Sequence, residues 1–284
     1  SADRIGEVLR TPEDQPVLPP AAARRENGAL IEFDRVSFTH AGTRPEENAA
    51  SFAGGRREKC LDGISFRLKR GETLGIIGHT GAGKSTLIRL LMRFYDADEG
   101  TVYVDGRDVR TYDKRALREK FGAAFQSDVI FAESIRDNIS LGRPLTDEEL
   151  LRAAEDAMAA DFIAEKPGGW DYGADIKGAN FSGGQKQRLC IARALAAQPE
   201  ILILDDAASA LDYQTDARLR QALRERYPGI TTVIAAQRVS SIMAASLILV
   251  LENGRITGAG RHEELLERCP VYRDIYQSQM GDLA

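Results

Sequence analysis

The sequence predicts an α/β fold in which a parallel or mixed β-sheet carries helices on both faces. Two observations indicate this. Short apolar runs alternate with segments of helical periodicity, and the run at residues 201–204 (ILIL) has the composition of a strand buried on both faces. A glycine-rich stretch, residues 78–86 (GHTGAGKST), also lies between an apolar run and a helical pattern. A strand, a glycine-rich turn and a helix in this order form the context of a phosphate-binding loop.

The N-terminal part of the chain is predicted to be a linker followed by two strands. Residues 1–27 mix charges with four prolines, so most of this stretch is expected to be extended, with a short helical face at Ile5, Val8 and Leu9. Alternation from residue 30 to 38 predicts one strand, and residues 61–69 predict a second. The polar residues 41–59 between them are predicted to form an exposed, mobile loop.

The remaining elements follow the phosphate loop and the helix that begins near Lys84. A helical block is predicted over about residues 127–185, and Thr146 with Glu149 has the spacing of a capping box inside it. Ser182 is the expected N-cap of a further helix that closes before Pro199. Strands are predicted at residues 101–104, 121–125, 201–204, 230–236, 247–251 and 255–259, and helices at 114–120, 212–226 and the C-terminus.

The phosphate loop carries the first candidate site. Glycines at 78, 81 and 83 permit backbone conformations in which successive N–H groups converge on an anion, and the following helix adds its N-terminal donors. Lys84 is placed to meet the β and γ phosphates of a nucleotide, and the Ser85 hydroxyl to ligate Mg²⁺. The predicted phosphate-binding residues are Gly78, His79, Thr80, Gly81, Ala82, Gly83, Lys84, Ser85 and Thr86.

Composition narrows the class of protein. The 284 residues carry 38 Lys and Arg against 43 Asp and Glu, a net charge of −5, which argues against a nucleic-acid-binding domain. The three cysteines are far apart and form no CxxC pair, so a reduced compartment without a zinc site is expected. No apolar stretch approaches the length of a membrane-spanning helix and no secretory signal opens the chain, so this polypeptide alone is expected to be soluble.

Three further motifs narrow the function. The segments FSGGQKQR (residues 181–188), ILILDD (201–206) and SALD (209–212) together resemble the nucleotide-binding domain of exporter-type ABC transporters. The resemblance spans roughly residues 30–280. It implies a phosphate-loop NTPase core with a mixed sheet, an antiparallel β subdomain and an inserted helical subdomain at about 127–185. It also implies an ATP-binding domain at residues 28–280 with a tail at 281–284.

The resemblance also implies roles for individual residues. The signature residues Ser182, Gly183, Gly184 and Gln185 would contact the γ-phosphate of ATP held by a facing domain, so a second nucleotide-binding domain is the implied partner. Asp205 would hold Mg²⁺ together with Ser85, as suits a hard cation with oxygen ligands. Gln126 would join this metal site to a flexible loop that faces a membrane domain. Gln126 and Lys84 would both also take part in catalysis. Asp212 would cross the dimer interface.

Three positions depart from the family pattern. The residue after Asp205 is Asp206 rather than glutamate, so the carboxylate that would polarise the attacking water is one methylene shorter. Gln237 stands where the family has a switch histidine, and an amide cannot carry a proton as imidazole does. His40 stands where an aromatic residue, often tyrosine, stacks on adenine, while Phe38 is expected to face the core.

These departures lead to a hypothesis of unequal sites. The domain would belong to a heterodimeric exporter, hold ATP-Mg²⁺ in its own degenerate site, and complete the partner's competent site with its signature. Tolerated substitutions with normal turnover, a regulatory ATP clamp and a soluble non-transport ABC protein are the alternatives. Residues 1–9 look similar to the segment that leaves the last transmembrane helix of a half-transporter. A transmembrane domain in the same parent chain is therefore expected, and the present domain would lie on the cytoplasmic face of the plasma membrane as part of that transporter.

Overall fold

Two β-sheets organise the structure, a computed structural model that describes residues 15–19, 25–40, 59–127, 129–207 and 209–281. One sheet has six strands in the order β10-β9-β3-β8-β7-β6, and the other has four in the order β2-β1-β4-β5. The strands are β1 Ala29–Phe38, β2 Leu61–Lys69, β3 Thr73–Ile77, β4 Glu99–Val104, β5 Arg107–Asp108, β6 Phe121–Phe125, β7 Ile201–Asp205, β8 Thr231–Ala236, β9 Leu247–Glu252 and β10 Arg255–Gly260.

The six-stranded sheet is mixed, as predicted. Strands β6, β7, β8, β3 and β9 pair in parallel, and β10 returns antiparallel along β9. Every residue of β7 is buried, which agrees with the apolar run at residues 201–204. Because side chains alternate across a strand, Ile201 and Ile203 enter one core cluster while Leu202 and Leu204 enter the other. Parallel pairing brings the carboxyl ends of these strands to one edge of the sheet.

The four-stranded sheet is the predicted antiparallel β subdomain. Its central strand β1 pairs with β2 and β4, and Phe33 stacks on Phe66 of β2 with ring centroids 4.8 Å apart. The same core cluster contains Leu87 and Leu91 of the helix that follows the phosphate loop. That helix therefore packs against both the antiparallel sheet and one face of the six-stranded sheet.

Nine α-helices lie in the described residues. The predicted helical block contains three of them, and the first ends at Leu141, which adopts a left-handed conformation (φ 49°). The capping box of Thr146 and Glu149 is present. The helices are α1 Lys84–Leu91, α2 Lys114–Arg118, α3 Ile135–Ser140, α4 Asp147–Asp156, α5 Ala160–Ala164, α6 Gly183–Ala196, α7 Tyr213–Arg226, α8 His262–Arg268 and α9 Pro270–Met280.

Some predictions fall outside the described residues: the helical face at Ile5, Val8 and Leu9, nearly all of the loop at 41–59, and the tail beyond 281. Within the N-terminal stretch, the buried Arg93 side chain donates to the Pro16 carbonyl oxygen at 2.7 Å. No helix among the described residues is long and apolar enough to cross a membrane. Cys60, Cys190 and Cys269 form no disulfide with one another.

Candidate functional site

The phosphate loop connects β3 to α1, as predicted, and two of its glycines have no room for a side chain. A Cβ atom on Gly78 would collide with the Leu251 carbonyl oxygen. Gly83 combines a φ of 106° with a position where a Cβ would lie 2.6 Å from the Leu61 side chain. Alanine at either position would force the loop to move, and this explains why the chain has glycine there.

Lys84 and Ser85 begin α1 and face the end of the sheet. The Lys84 ammonium donates to the carbonyl oxygens of Gly78 at 2.6 Å and His79 at 3.0 Å. Its half-buried position lowers its pKa through desolvation, and the carboxylates of Asp205 and Asp206 oppose this shift. The loop thus holds a cation whose hydration is incomplete, and a phosphate oxygen is a stronger partner for it than a carbonyl dipole.

Asp205 is the last residue of β7 and lies against Ser85. Its side-chain oxygen Oδ1 accepts a hydrogen bond from the Ser85 hydroxyl at 3.1 Å, and the residue is 7% exposed. Burial raises the pKa of the Asp205 carboxyl, while the Ser85 hydrogen bond opposes that shift. A hydroxyl and a carboxylate side by side, beside a loop built for phosphates, fit the oxygen ligands that Mg²⁺ prefers when it also binds a nucleotide.

Asp206 and Gln237, the two departures in the predicted catalytic pair, are in direct contact. The Gln237 Nε2 atom donates to Asp206 Oδ2 at 2.7 Å. The register of β7 and β8 explains the contact, because Asp205 lies opposite Ala235, and the next residues leave the same edge of the sheet. Asp206 has a left-handed backbone (φ 53°), and its N–H donates to the Ala235 carbonyl oxygen at 2.8 Å.

Gln126 also reaches this edge of the sheet. It follows Phe125, the last residue of β6, which pairs with Asp205 in the parallel register. The Gln126 side chain is exposed. The structure therefore gathers the ends of β3, β6, β7 and β8 beside the phosphate loop. Gln126, Asp205, Asp206 and Gln237 lie at or directly after three of these strand ends, and Lys84 and Ser85 lie at the start of α1.

His40 lies beside the first turn of α1. Its Nε2 atom is 3.2 Å from the Thr86 hydroxyl, and its ring meets Phe38 and Tyr95 edge-on with centroids 4.9 and 5.3 Å away. Phe38 is buried in the core, as expected. The Cys60 thiol is 3.3 Å from the same Thr86 hydroxyl. An exposed imidazole edge at the rim of the loop is consistent with the predicted contact to a base.

The signature residues begin α6 on the exposed surface. Ser182 and Gln185 form a capping box, in which the Ser182 hydroxyl accepts from the Gln185 N–H at 3.3 Å and Gln185 Oε1 accepts from the Ser182 N–H at 3.1 Å. These bonds fix the turn and leave the exposed Gly183 at the helix start. Asp212 is the N-cap of α7, where its carboxylate accepts from the Thr215 N–H at 2.9 Å.

Two neighbours of the site were not predicted from the sequence. Arg238 donates to the carbonyl oxygens of Ser209 and Leu211 at 3.1–3.2 Å and so ties the residue after Gln237 to the SALD segment. Gln279 of α9, 42 positions further along the chain, donates to the Gln237 carbonyl oxygen at 2.7 Å. No local pattern marks either contact, because each depends on how distant elements pack.

The fold and this site define a phosphate-loop nucleotide-binding protein. A strand–loop–helix unit carries the lysine and the serine, and an acidic strand end lies 3.1 Å from that serine. These are the parts that phosphate-loop proteins use to hold a nucleotide and its metal.

The chain belongs to the ABC transporter family, whose model matches residues 61–209. It is 42% identical over 250 residues, 88% of this chain and 19% of the relative, to human ATP-binding cassette sub-family B member 5. It is 38% identical, over all of this chain and 46% of the relative, to the uncharacterized ABC transporter ATP-binding protein YknU of Bacillus subtilis. A bacterial Atm1-family ABC exporter with ATP bound superimposes with a TM-score of 0.86 at 35% identity, over 98% of this chain and 46% of that one.

The chain therefore spans less than half the length of these relatives. Another relative, 41% identical over 88% of this chain, is named a β-(1→2)glucan export ATP-binding/permease protein of Rhodopseudomonas palustris. The mixed sheet, the antiparallel sheet and the exporter neighbour agree with the fold class predicted from the sequence. ABC transporter domains bind ATP and are generally ATPases.

Proposed function

We propose that this chain is the ATP-binding domain of an exporter, and that it holds ATP-Mg²⁺ in a site of low intrinsic turnover. In this proposal it dimerises with a second nucleotide-binding domain of a different subunit. Each ATP is held between the phosphate loop of one domain and the signature of the other. The signature beginning at Ser182 completes the partner's site, where most hydrolysis takes place.

The observation that carries the proposal is the contact between Asp206 and Gln237. The shorter carboxylate lies next to β7, and one of its oxygens accepts a hydrogen bond from a neutral amide at 2.7 Å. Gln237 can donate a hydrogen bond to a γ-phosphate, but it cannot accept and pass on a proton at neutral pH. Aspartate at position 206 and glutamine at position 237 therefore both weaken the removal of a proton from an attacking water, and the two side chains lie in contact in the same site.

The binding parts of the site do not share this weakness. The Lys84 ammonium is available to exchange its two carbonyl partners for phosphate oxygens. Ser85 and Asp205 would hold Mg²⁺, which supplies charge neutralisation at the phosphates when bound. Because positioned base catalysis contributes roughly 10²–10⁴-fold to a rate, its loss leaves a site that binds ATP but cleaves it slowly.

The test is a gain of hydrolysis at this site. The full-length protein, assembled with its partner, should hydrolyse ATP at least about a hundredfold faster at this site when Asp206→Glu is combined with Gln237→His. Asp161→Glu on α5 is a matched control, because it adds the same methylene at an exposed position away from the loop. Lys84→Ala should abolish the gain. Fast turnover in the unsubstituted protein, with no increase in the double variant, would refute the proposal.

The test also separates the alternatives. A regulatory clamp with negligible hydrolysis predicts long ATP retention at both sites of the dimer, whereas the exporter proposal predicts retention at this site alone. Purification of the full-length subunit without its partner distinguishes a heterodimer, which should be inactive alone, from a functional homodimer. The relatives named as export ATP-binding/permease proteins favour a transmembrane domain in the same chain over a soluble ABC protein, and they favour a place on the cytoplasmic face of the plasma membrane.

A further inference from the structure

The side chain of Gln279 clamps the backbone around Gln237. Its Nε2 atom donates to the Gln237 carbonyl oxygen at 2.7 Å, and its Oε1 atom accepts from the Val239 N–H at 2.8 Å. One amide therefore closes two hydrogen bonds, one on each side of Arg238. Gln279 comes from the last turn of α9, far from the phosphate loop in sequence.

The Val239 N–H is a group that needs such a partner. Val239 starts the short 3₁₀ turn Val239–Ser241, and the first N–H groups of a helical turn have no acceptor within it. Arg238, the residue before the turn, gives no side-chain cap to it. Since Val239 is fully buried, its N–H would otherwise lack an acceptor away from water. Gln279 satisfies this donor, so the turn and the segment that carries Gln237 are fixed to α9.

Helix α9, which carries Gln279, is itself packed against α8 and the hydrophobic core. Tyr272 in its first turn is fully buried, and its hydroxyl lies 2.8 Å from His262 Nδ1 of α8. Val271, Ile275 and Tyr276 pack against the core cluster that contains Leu202 and Leu204 of β7. A cleft lined by His79 and Thr80 of the loop and by Ile275 and Ser278 of α9 lies next to Gln237. The clamp therefore stands at the edge of the nucleotide site.

We propose that Gln279 is a positioning residue for the γ-phosphate side of the site. By fixing the backbone on both sides of Arg238, it sets the direction of the Gln237 side chain and hence its contact with Asp206. The inference rests on the proposed function for its claim that Gln237 faces the γ-phosphate of bound ATP. It adds that the C-terminal helix controls that contact without touching the nucleotide.

The first test measures the clamp itself, in the full-length protein without nucleotide. Gln279→Ala should make hydrogen–deuterium exchange at the Val239 amide roughly tenfold faster, about the factor that one net hydrogen bond provides. Gln277→Ala is the matched control, since it removes the same side chain from an exposed position of the same helix. It should leave this exchange unchanged. Equal exchange in the two variants would overturn the clamp.

The second test measures what the clamp does for the reaction. With the protein in saturating excess over ATP, Gln279→Ala should lower the single-turnover hydrolysis rate of this site about tenfold. It should leave the ATP dissociation constant within about twofold, because misplacement of a reacting group costs rate rather than binding. Gln279→Glu is nearly isosteric and keeps an acceptor for Val239, but it places a carboxylate oxygen against the Gln237 carbonyl. It should show the same loss of rate while keeping the Val239 amide protected.

A double-mutant cycle with Gln237→Ala decides whether Gln279 acts through Gln237. In that background, Gln279→Ala should cause no further fall in rate. An equal fall in both backgrounds, or a fall in ATP affinity, would overturn the positioning role. This outcome differs from a failure of the degenerate-site proposal. Fast hydrolysis in the unsubstituted protein would refute low turnover at this site, but hydrogen–deuterium exchange at the Val239 amide and the double-mutant cycle could still be measured and interpreted.

Discussion

The carboxylate of Asp156 joins the helical insertion to the core, and its removal gives a defined stability prediction. Asp156 is the last residue of α4 and is fully buried. It accepts from the Tyr227 hydroxyl at 2.8 Å and forms an ion pair with Arg226, both at the end of α7. Burial, followed by the hydrogen bond to Asp156, raises the pKa of the Tyr227 hydroxyl, so that hydroxyl stays a donor at neutral pH.

The magnitude follows from the burial of the partners. Breaking a buried ion pair costs about 3–5 kcal/mol, but the Arg226 side chain is 51% exposed and regains water when the carboxylate is lost. The half-buried Tyr227 hydroxyl is the group left without its partner. We therefore expect Asp156→Ala to lower the free energy of unfolding by about 2 kcal/mol, and the melting temperature by about 4–8 °C for a domain of this size.

Urea and thermal unfolding of the nucleotide-free chain measure this effect. Glu155→Ala is the matched control, because Glu155 also faces Arg226, at 3.5 Å, but its side chain is 48% exposed. It should cost less than about 0.5 kcal/mol. Asp156→Asn keeps an acceptor for Tyr227 and should fall between the two. Equal melting temperatures for the Asp156 and Glu155 alanine variants would refute the reasoning.

Two further predictions concern the nucleotide. Asp205→Asn keeps an acceptor for the Ser85 hydroxyl but removes the negative charge. It should therefore weaken ATP binding about tenfold or more in the presence of Mg²⁺ and leave ATP binding in EDTA nearly unchanged. Equal losses of affinity in both conditions would contradict a role in binding the metal. His40→Tyr should tighten ATP binding about fivefold in equilibrium titrations, since a larger ring stacks better on a base, whereas an ATP affinity left unchanged by His40→Ala would place the ring away from the base.

Much of the fold was readable in the sequence because its signals are local. The apolar runs at β6 and β7 are short and bounded by turn or polar residues, and the structure keeps the predicted bounds to within one residue. The phosphate loop also follows from local chemistry. The start of α4 was also a local signal, because Thr146 and Glu149 have the spacing of a capping box, whereas the left-handed Leu141 that ends α3 was not identified.

Contacts between distant segments define the part of the site that the sequence did not predict. Asp206 and Gln237 were each identified as departures, but their mutual hydrogen bond depends on β7 and β8 being parallel neighbours in one register. Gln279 has no motif at all, since its role depends on the angle at which α9 packs under the sheet. Such contacts become visible only when the strand order is known.

The most direct test of the account is the fate of ATP bound at this site alone. Ser182→Arg in the full-length assembled protein should block the partner's site, which this signature completes, and leave only the site of this chain. The account predicts that labelled ATP-Mg²⁺ then stays bound and intact over a time in which the unsubstituted dimer completes many turnovers. Prompt conversion of that ATP to ADP would contradict it.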